Sequence, residues 1–437
     1  MNVILLSGGS GKRLWPLSND IRSKQFIKMF KTPTGEYESM VQRVYRQIKS
    51  VDSGAVITVA TSKTQVSAIH NQLGESVGIS VEPYRRDTFP AIALATVYLN
   101  EIQGVSEDES VVVCPVDPYV EKDYFECIKA LSRQADKGEA NLVLMGINPT
   151  YPSEKYGYII PKSGDAVSEV CEFKEKPDAE TAKKYIAKNA LWNGGVFAYK
   201  LKYVLQKAHE LIDFADYADL FNKYETLKKI SFDYAVVEKE KNIQVMRFSG
   251  EWKDIGTWNT LTETLSEHVI GNGVMNDTCS GVHIINELDR PILAMGLHDV
   301  VISASPEGIL VADKEQSSYI KPYVDKFEQQ IMFAEKSWGS YEVLDVDKES
   351  LTIKVTLNPG HRMNYHSHNH RDEVWVVTEG RGKTVVDGME QKVSAGDVIA
   401  IQAGCRHTVI ADTVLKLVEI QLGKEINVDD KQKFSLE

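Results

Sequence analysis

An apolar segment, Val3-Ile4-Leu5-Leu6, runs directly into Ser7-Gly8-Gly9-Ser10-Gly11-Lys12-Arg13-Leu14-Trp15-Pro16, with Lys24 shortly beyond. This junction constrains the fold more than any other stretch. A short apolar run entering a glycine-rich turn reads as a buried strand that delivers a loop to its carboxyl edge. Glycines let the backbone approach a ligand closely, and successive N–H groups can surround phosphate oxygens. The spacing excludes two familiar phosphate loops. A Walker A loop needs glycine five places before its Gly-Lys pair and Ser or Thr after it, but Leu6 and Arg13 hold those positions. A dinucleotide fingerprint opens a regular helix after its third glycine. Trp15-Pro16 interrupts any such helix, because proline removes a donor and restrains the residue before it. What remains is a long loop suited to gripping a triphosphate through Arg13 and Lys24.

Residues 1 to about 150 continue as alternating strand and helix. Val3–Leu6, Ala55–Ala60, Val77–Val81, Val111–Cys114 and Leu142–Gly146 are short apolar strand candidates. Met40, Val41, Val44, Tyr45 and Ile48 form a helical stripe, and Ala91–Leu99 is a second helical run. Nearly unbroken apolar strands predict a parallel sheet covered on both faces, with ligands beyond the carboxyl ends of the strands. Gly8 and Asp117 each follow such a strand and are expected to face one cleft. From Tyr156 to about Thr262 the pattern loosens into short strands, helices and glycine turns.

A chain of 437 residues exceeds what one core usually supports. Three regions are predicted: an α/β domain over residues 1–265, a short β-rich connector over 266–336, and an all-β barrel over 337–437. Residues 321–336 read as one linker helix through Val324, Phe327 and Ile331. In the last region, strand candidates such as Thr352–Leu357, Glu373–Val377, Lys383–Val386, Val398–Ile401 and Leu415–Gln421 alternate with glycine turns, the signature of a small barrel or jelly roll.

Charge and composition narrow the function. A formal net charge of -12 argues against nonspecific nucleic-acid binding. Five scattered cysteines show neither metal nor disulfide spacing, which fits a reducing cytoplasm. The amino terminus reads as a strand and not as a signal peptide, and no segment has membrane-span length. The expected partners are therefore small molecules, with no nucleic acid and no membrane. Transfer of a nucleotidyl group onto a sugar phosphate needs alignment and charge stabilisation more than covalent chemistry. Arg13 and Lys24 supply positive charge, while Asp117 and Asp254 are candidate ligands for Mg²⁺.

The ordered stretches Gly8–Ser18 with Lys24-Gln25-Phe26, Glu82–Ile92, Phe173–Pro177, Trp192–Phe197, Phe232–Val236 and Trp252–Gly256 resemble the bacterial mannose-1-phosphate guanylyltransferases, or GDP-mannose pyrophosphorylases. The resemblance spans residues 3 to 262. It implies a Rossmann-like nucleotidyltransferase domain with a mostly parallel sheet, acting on GTP and mannose 1-phosphate. It puts Gly8, Gly9, Gly11 and Arg13 on the triphosphate, and Glu82, Arg86 and Asp87 in the nucleotide-facing motif. Lys24 then lies near the α-phosphate and sugar phosphate. Gly157, Glu175, Lys176, Asn193 and Gly194 hold the sugar phosphate, and Asp117 and Asp254 bind Mg²⁺. Several positions depart from the family pattern: Ser23, Asp87, Phe89 and Pro118 stand where proline, asparagine, alanine and histidine are common. Asp87 matters most, because a carboxylate cannot donate the hydrogen bonds of an amide.

Gly360-x5-His366-x-His368-x4-Glu373-x6-Gly380, followed by Gly396-x7-Gly404-x2-His407, resembles the double motif of the cupins. His366 and His368, two apart on an extended segment, point to one side. With Glu373 and His407 they make a three-nitrogen, one-oxygen set for Zn²⁺ or another divalent transition metal. His361 and His370 fall outside the pattern. The barrel also resembles a type II mannose-6-phosphate isomerase domain, which implies interconversion of mannose 6-phosphate and fructose 6-phosphate. Against that activity, no Tyr-Gly-Arg-type stretch follows Leu417–Gly423, and Arg371–Trp375 replaces the usual Ala-Glu-His variant. Support of the fold, or an interface in a homo-oligomer, is the other reading of the barrel. A transferase for another sugar 1-phosphate and a non-catalytic nucleotide-sugar sensor are the remaining alternatives; the intact set Arg13, Lys24, Asp117 and Asp254 argues against the sensor.

Overall fold

The computed structural model describes residues 1–8, 12–19, 21–327, 331–424, 426–427 and 430–436. Gly9 and Gly11 lie outside the described residues. The chain divides into two compact units. The first comprises Met1–Ser10, Gln25–Val66 and Gln72–Ser266; the second comprises Gly11–Lys24, Ser67–Asn71 and Glu267–Glu437.

A nine-stranded sheet organises the first unit. Its order is Gly78–Glu82, Val56–Ser62, Asn2–Leu6, Ser110–Pro115, Leu191–Lys200, Leu142–Ile147, Ile243–Phe248, Val167–Lys174 and Tyr158–Pro161. The first four strands are parallel, as their apolar runs predict. Leu191–Lys200 then enters antiparallel between Ser110–Pro115 and Leu142–Ile147, so the sheet as a whole is mixed. The far edge is antiparallel too: Val167–Lys174 pairs with Ile243–Phe248 and Tyr158–Pro161 and is largely solvent-facing, a pattern that antiparallel strands tolerate and doubly covered parallel strands do not.

Two helices show why the faces are covered. Met40–Val51 starts at Ser39, whose hydroxyl accepts from the Gln42 amide while the Gln42 side chain returns a bond to the Ser39 backbone. It buries Met40, Val41, Val44 and Ile48. Thr88–Val97 is apolar all round and almost wholly buried, as expected of a helix sandwiched inside a domain. Each large apolar side chain buried in this way contributes roughly 1.5–3 kcal/mol before entropy is subtracted.

In the second unit, Val269–Gly271, His283–Asn286 and Val300–Ser305 stack in parallel, and Gly308–Asp313 closes the sheet antiparallel. The linker helix expected over 321–336 is confined to Lys321–Val324. Phe333–Lys336 is instead a strand, because its backbone is claimed by an antiparallel pairing with Gly339–Val346. It is the first strand of two antiparallel sheets that hold six and five strands among the described residues, a jelly-roll barrel. Its core includes Val355, Leu357, Trp375, Val377, Val409 and Leu417. Among the described residues no helix is long and apolar enough to cross a membrane.

Candidate functional site

Register fixes what meets at the carboxyl edge of the parallel strands. Leu6 pairs with Ala60 on one side and Pro115 on the other, and Ser62 pairs with Glu82. Gly8, Glu82 and Asp117 therefore leave the sheet at one edge. Gly8 is exposed, and a Cβ there would meet nothing within 4 Å. Gln25 donates to the carbonyl and hydroxyl of Ser7, both at 3.2 Å, and so closes the base of the loop. Arg13, in a short 3-10 turn, is exposed beside the buried Leu14. Lys24 opens a second 3-10 turn. Arg13 and Lys24 belong to the second unit.

Asp117 and Asp254 are brought together by a two-stranded ribbon. Trp252–Asp254 pairs antiparallel with Pro118–Val120, and Asp254 lies opposite Pro118, next to Asp117. Asp254 is exposed and Asp117 half-buried.

The Glu82–Asp87 segment is held from behind. Glu82 accepts from the Tyr224 hydroxyl at 2.8 Å, and burial raises its carboxyl above the ordinary value. The Arg86 guanidinium donates to the Glu225 carbonyl. Asp87 caps helix Thr88–Val97 by accepting from the Thr88 amide at 2.8 Å. Its φ of 72° with ψ of -177° is a backbone region that only glycine enters freely, so the motif stores strain.

A third group forms around Gly157. A Cβ on Gly157 would lie 2.6 Å from Glu175 Oε2 and 3.3 Å from Asn193 Cβ, so only glycine lets these two side chains close over it. Glu175 is 7% exposed and pairs with Lys176 Nζ at 2.8 Å, an ion pair that raises the Lys176 ammonium above its ordinary value. Asn193 donates to Asp233 Oδ1 at 2.7 Å. Gly194 packs on Ile147. Asp233, whose role the sequence did not reveal although its motif was visible, is pushed up to about 7 by burial and by the charge of Glu175. Beside this group the rings of Tyr156, Trp192 and Trp252 lie 4.9–6.4 Å apart, an aromatic bridge toward the strand that carries Asp254.

The barrel holds a separate cluster. His366, His368, Glu373 and His407 are 3%, 2%, 2% and 1% exposed. His366 pairs with His407 across adjacent strands, and one nitrogen of each of the three histidines lies within 4.8 Å of the others. The Nδ1 atoms of His366, His368 and His407 face the carbonyls of Asn364, Asp430 and Cys405 respectively. A carbonyl only accepts, so Nδ1 carries the proton and Nε2 presents its lone pair inward. Glu373 oxygens lie 3.1 Å from His368 Nε2 and 3.3 Å from His407 Nε2. Glu373 Oε1 and His407 Nε2 are buried without a hydrogen-bond partner. Three inward lone pairs within 4.8 Å of one another could hold a divalent cation, with the Glu373 carboxylate beside two of them. His361 and His370 are exposed, away from the cluster.

The nucleotidyl transferase family model matches residues 2–269, and the mannose-6-phosphate isomerase C-terminal model matches residues 325–435. A putative mannose-1-phosphate guanylyltransferase of Vibrio cholerae is 29% identical, covering 99% of this chain and 98% of that protein. The alginate biosynthesis protein AlgA of Pseudomonas aeruginosa is 27% identical over 99% of this chain and 96% of its own length. A crystal structure described as mannose-1-phosphate geranyltransferase from Thermus thermophilus superposes with a TM-score of 0.62 at 27% identity. The match covers 74% of this chain and 98% of that one. With more than half of its length matched by the first of these models, the chain belongs to the nucleotidyl transferase family.

Proposed function

We propose that the protein transfers GMP from GTP to α-D-mannose 1-phosphate, releasing pyrophosphate and forming GDP-mannose. The observation that carries this reading is the ribbon register that sets Asp254 beside Asp117, at the edge where Gly8 and Glu82 also leave the sheet. Similarity along nearly the whole chain to a putative mannose-1-phosphate guanylyltransferase supports the choice of substrates.

In the reaction, a phosphate oxygen of mannose 1-phosphate attacks the α-phosphorus of GTP. One P–O bond forms, the bond to the bridging oxygen breaks, and pyrophosphate leaves. Gly8, with Gly9 and Gly11, would lend backbone to the triphosphate. Arg13 and Lys24 would offset charge on the departing pyrophosphate and the α-phosphate. Glu82, Arg86 and Asp87 would face the nucleotide, and Gly157, Glu175, Lys176, Asn193 and Gly194 the sugar phosphate. Asp117 and Asp254 fit Mg²⁺, which when bound would neutralise phosphate charge. Asp233 would hold Asn193 in place.

Pyrophosphate release from GTP, dependent on mannose 1-phosphate and accompanied by GDP-mannose, tests this reading. Release with a different sugar phosphate, or none from folded protein that binds GTP, would overturn it.

A second reading adds aldose–ketose isomerisation in the barrel. A cavity of about 570 Å³ opens on His366 and His368 and is lined by Lys336, Arg371, Lys431 and Lys433, a basic setting suited to a sugar phosphate. Conversion of fructose 6-phosphate to mannose 6-phosphate, assayed with added Zn²⁺ or Mn²⁺, decides it.

A further inference from the structure

The loop that carries Arg13 and Lys24 is fastened to the second unit along much of its described length. Asn19, 3% exposed, accepts from the amides of Ile21 at 2.8 Å and Arg22 at 2.6 Å, which shapes the turn. Its other end, Nδ2, donates to Glu307 Oε1 at 2.8 Å. The same Glu307 oxygen accepts from the amides of Met332 at 3.0 Å and Phe333 at 3.3 Å, where the first barrel strand begins. One half-buried carboxylate thus joins the loop to the entry of the barrel.

Neighbouring contacts hold the same loop. Ser305 Oγ donates to the Pro16 carbonyl at 2.7 Å and accepts from the Glu307 amide at 3.1 Å. Arg22 binds Glu287 through two nitrogens at 2.6 and 2.8 Å and lies 5.1 Å from the centre of the Phe333 ring. Trp15 packs so closely on Gly308 that a Cβ there would come within 2.6 Å of its ring. In the proposed reaction none of these groups touches the triphosphate. They set where Arg13 and Lys24 stand.

We propose that Glu307 is a positioning residue for nucleotidyl transfer, fixing through Asn19 the loop that bears Arg13 and Lys24 and making the barrel entry part of that support. This rests on the proposed guanylyl transfer, in which those two side chains meet the triphosphate. Removing this half-buried acceptor leaves three donors without it, and a misplaced charged group loses most of its transition-state benefit.

The test uses full-length protein carrying Glu307→Ala and, separately, Glu307→Gln. The amide oxygen of glutamine can still accept, though without the carboxylate's charge. Glu307→Ala is expected to lower kcat/KM for GTP by roughly 10-fold or more while KM for mannose 1-phosphate stays within about 2-fold. Hydrogen exchange should quicken in peptides covering 12–24 and 331–336, and Glu307→Gln should restore both readouts to within about 3-fold of the parent. Unchanged kinetics in Glu307→Ala overturns the proposal. So does a loss confined to the fraction of folded enzyme, with both KM values unmoved. A parent protein that makes no GDP-mannose defeats the underlying reading instead, and that failure is visible before any variant is compared.

Discussion

The candidate transfer site and the barrel centre solve the problem of charge in opposite ways. In the first, Asp87 and Asp254 are exposed and Asp117 half-buried, arranged at strand ends and turns. In the second, the groups are at most 3% exposed and crowd around Glu373. A site that must receive a polyanion keeps its charges within reach of solvent, where rearrangement costs little. A buried site has to compensate its charges internally, because an isolated buried ion carries a penalty of several kcal/mol. The difference predicts that substitutions in the first region change catalysis at little cost in stability, whereas those in the second do the reverse.

The largest expected effect breaks the first half of this comparison. Asp254→Ala, or Lys24→Ala, should slow transfer by roughly 10²-fold or more with little change in Tm, since in the proposed reaction each would remove transition-state charge stabilisation. Near-normal kcat/KM in steady-state assays would remove the residue from the site. A smaller effect is expected of Gly157→Ala. Its new methyl would press on Glu175 and Asn193, and KM for mannose 1-phosphate should rise by about 10-fold while KM for GTP holds. An equal rise in both would mean a general distortion.

Glu373→Ala sharpens the other half. It leaves Arg371, His368 and His407 buried without their carboxylate, and should cost about 3 kcal/mol in urea denaturation while transfer per folded molecule stays within about 2-fold. Asp233 is intermediate between the two regions. Its carboxyl ordinarily titrates at 3.8 and is pushed up to about 7 in the fold. Between those values the folded protein holds a proton that the unfolded chain has lost, so Asp233's contribution to stability falls as pH rises from about 4 to 7. Asp233→Asn should flatten that part of a Tm-against-pH profile. A profile identical to the parent's would show that Asp233 titrates normally.

Legibility in the sequence followed the range of the interactions. The parallel strands were readable because each is a local apolar run, and the helix at Met40–Val51 because its stripe repeats every three to four residues. The linker helix was misread because Val324, Phe327 and Ile331 keep helical spacing. Pairing of Phe333–Lys336 with Gly339–Val346, and the capture of the Met332 and Phe333 amides by Glu307, decide the matter from outside the segment. The proposed site divides in the same way. Asp254 stands in the Trp252–Gly256 motif and Asp117 just beyond an apolar strand, and the ribbon that joins them is short. Glu307 meets Asn19 across 288 positions of sequence, and no local pattern announces such a partner. Asp233 was an intermediate case, visible in Phe232–Val236 but with its bond to Asn193 set only by the fold.

The smallest expected effect is the most discriminating. His366→Ala removes one imidazole from the barrel centre, a group whose basicity burial pushes down to about 3, so it is neutral in the working range and its loss strands no charge. Transfer should remain within about 2-fold of the parent, while a rise in Tm on adding Zn²⁺, expected of the parent if the three histidines hold a metal, should be lost. The contrast with Glu307→Ala is then informative, because both residues lie in the second unit and only Glu307 touches the loop. If His366→Ala collapses transfer in folded protein, the state of the barrel centre reaches Arg13 and Lys24. The strand entry at Met332 and Phe333, held by the same carboxylate as Asn19, is the physical route by which it would do so.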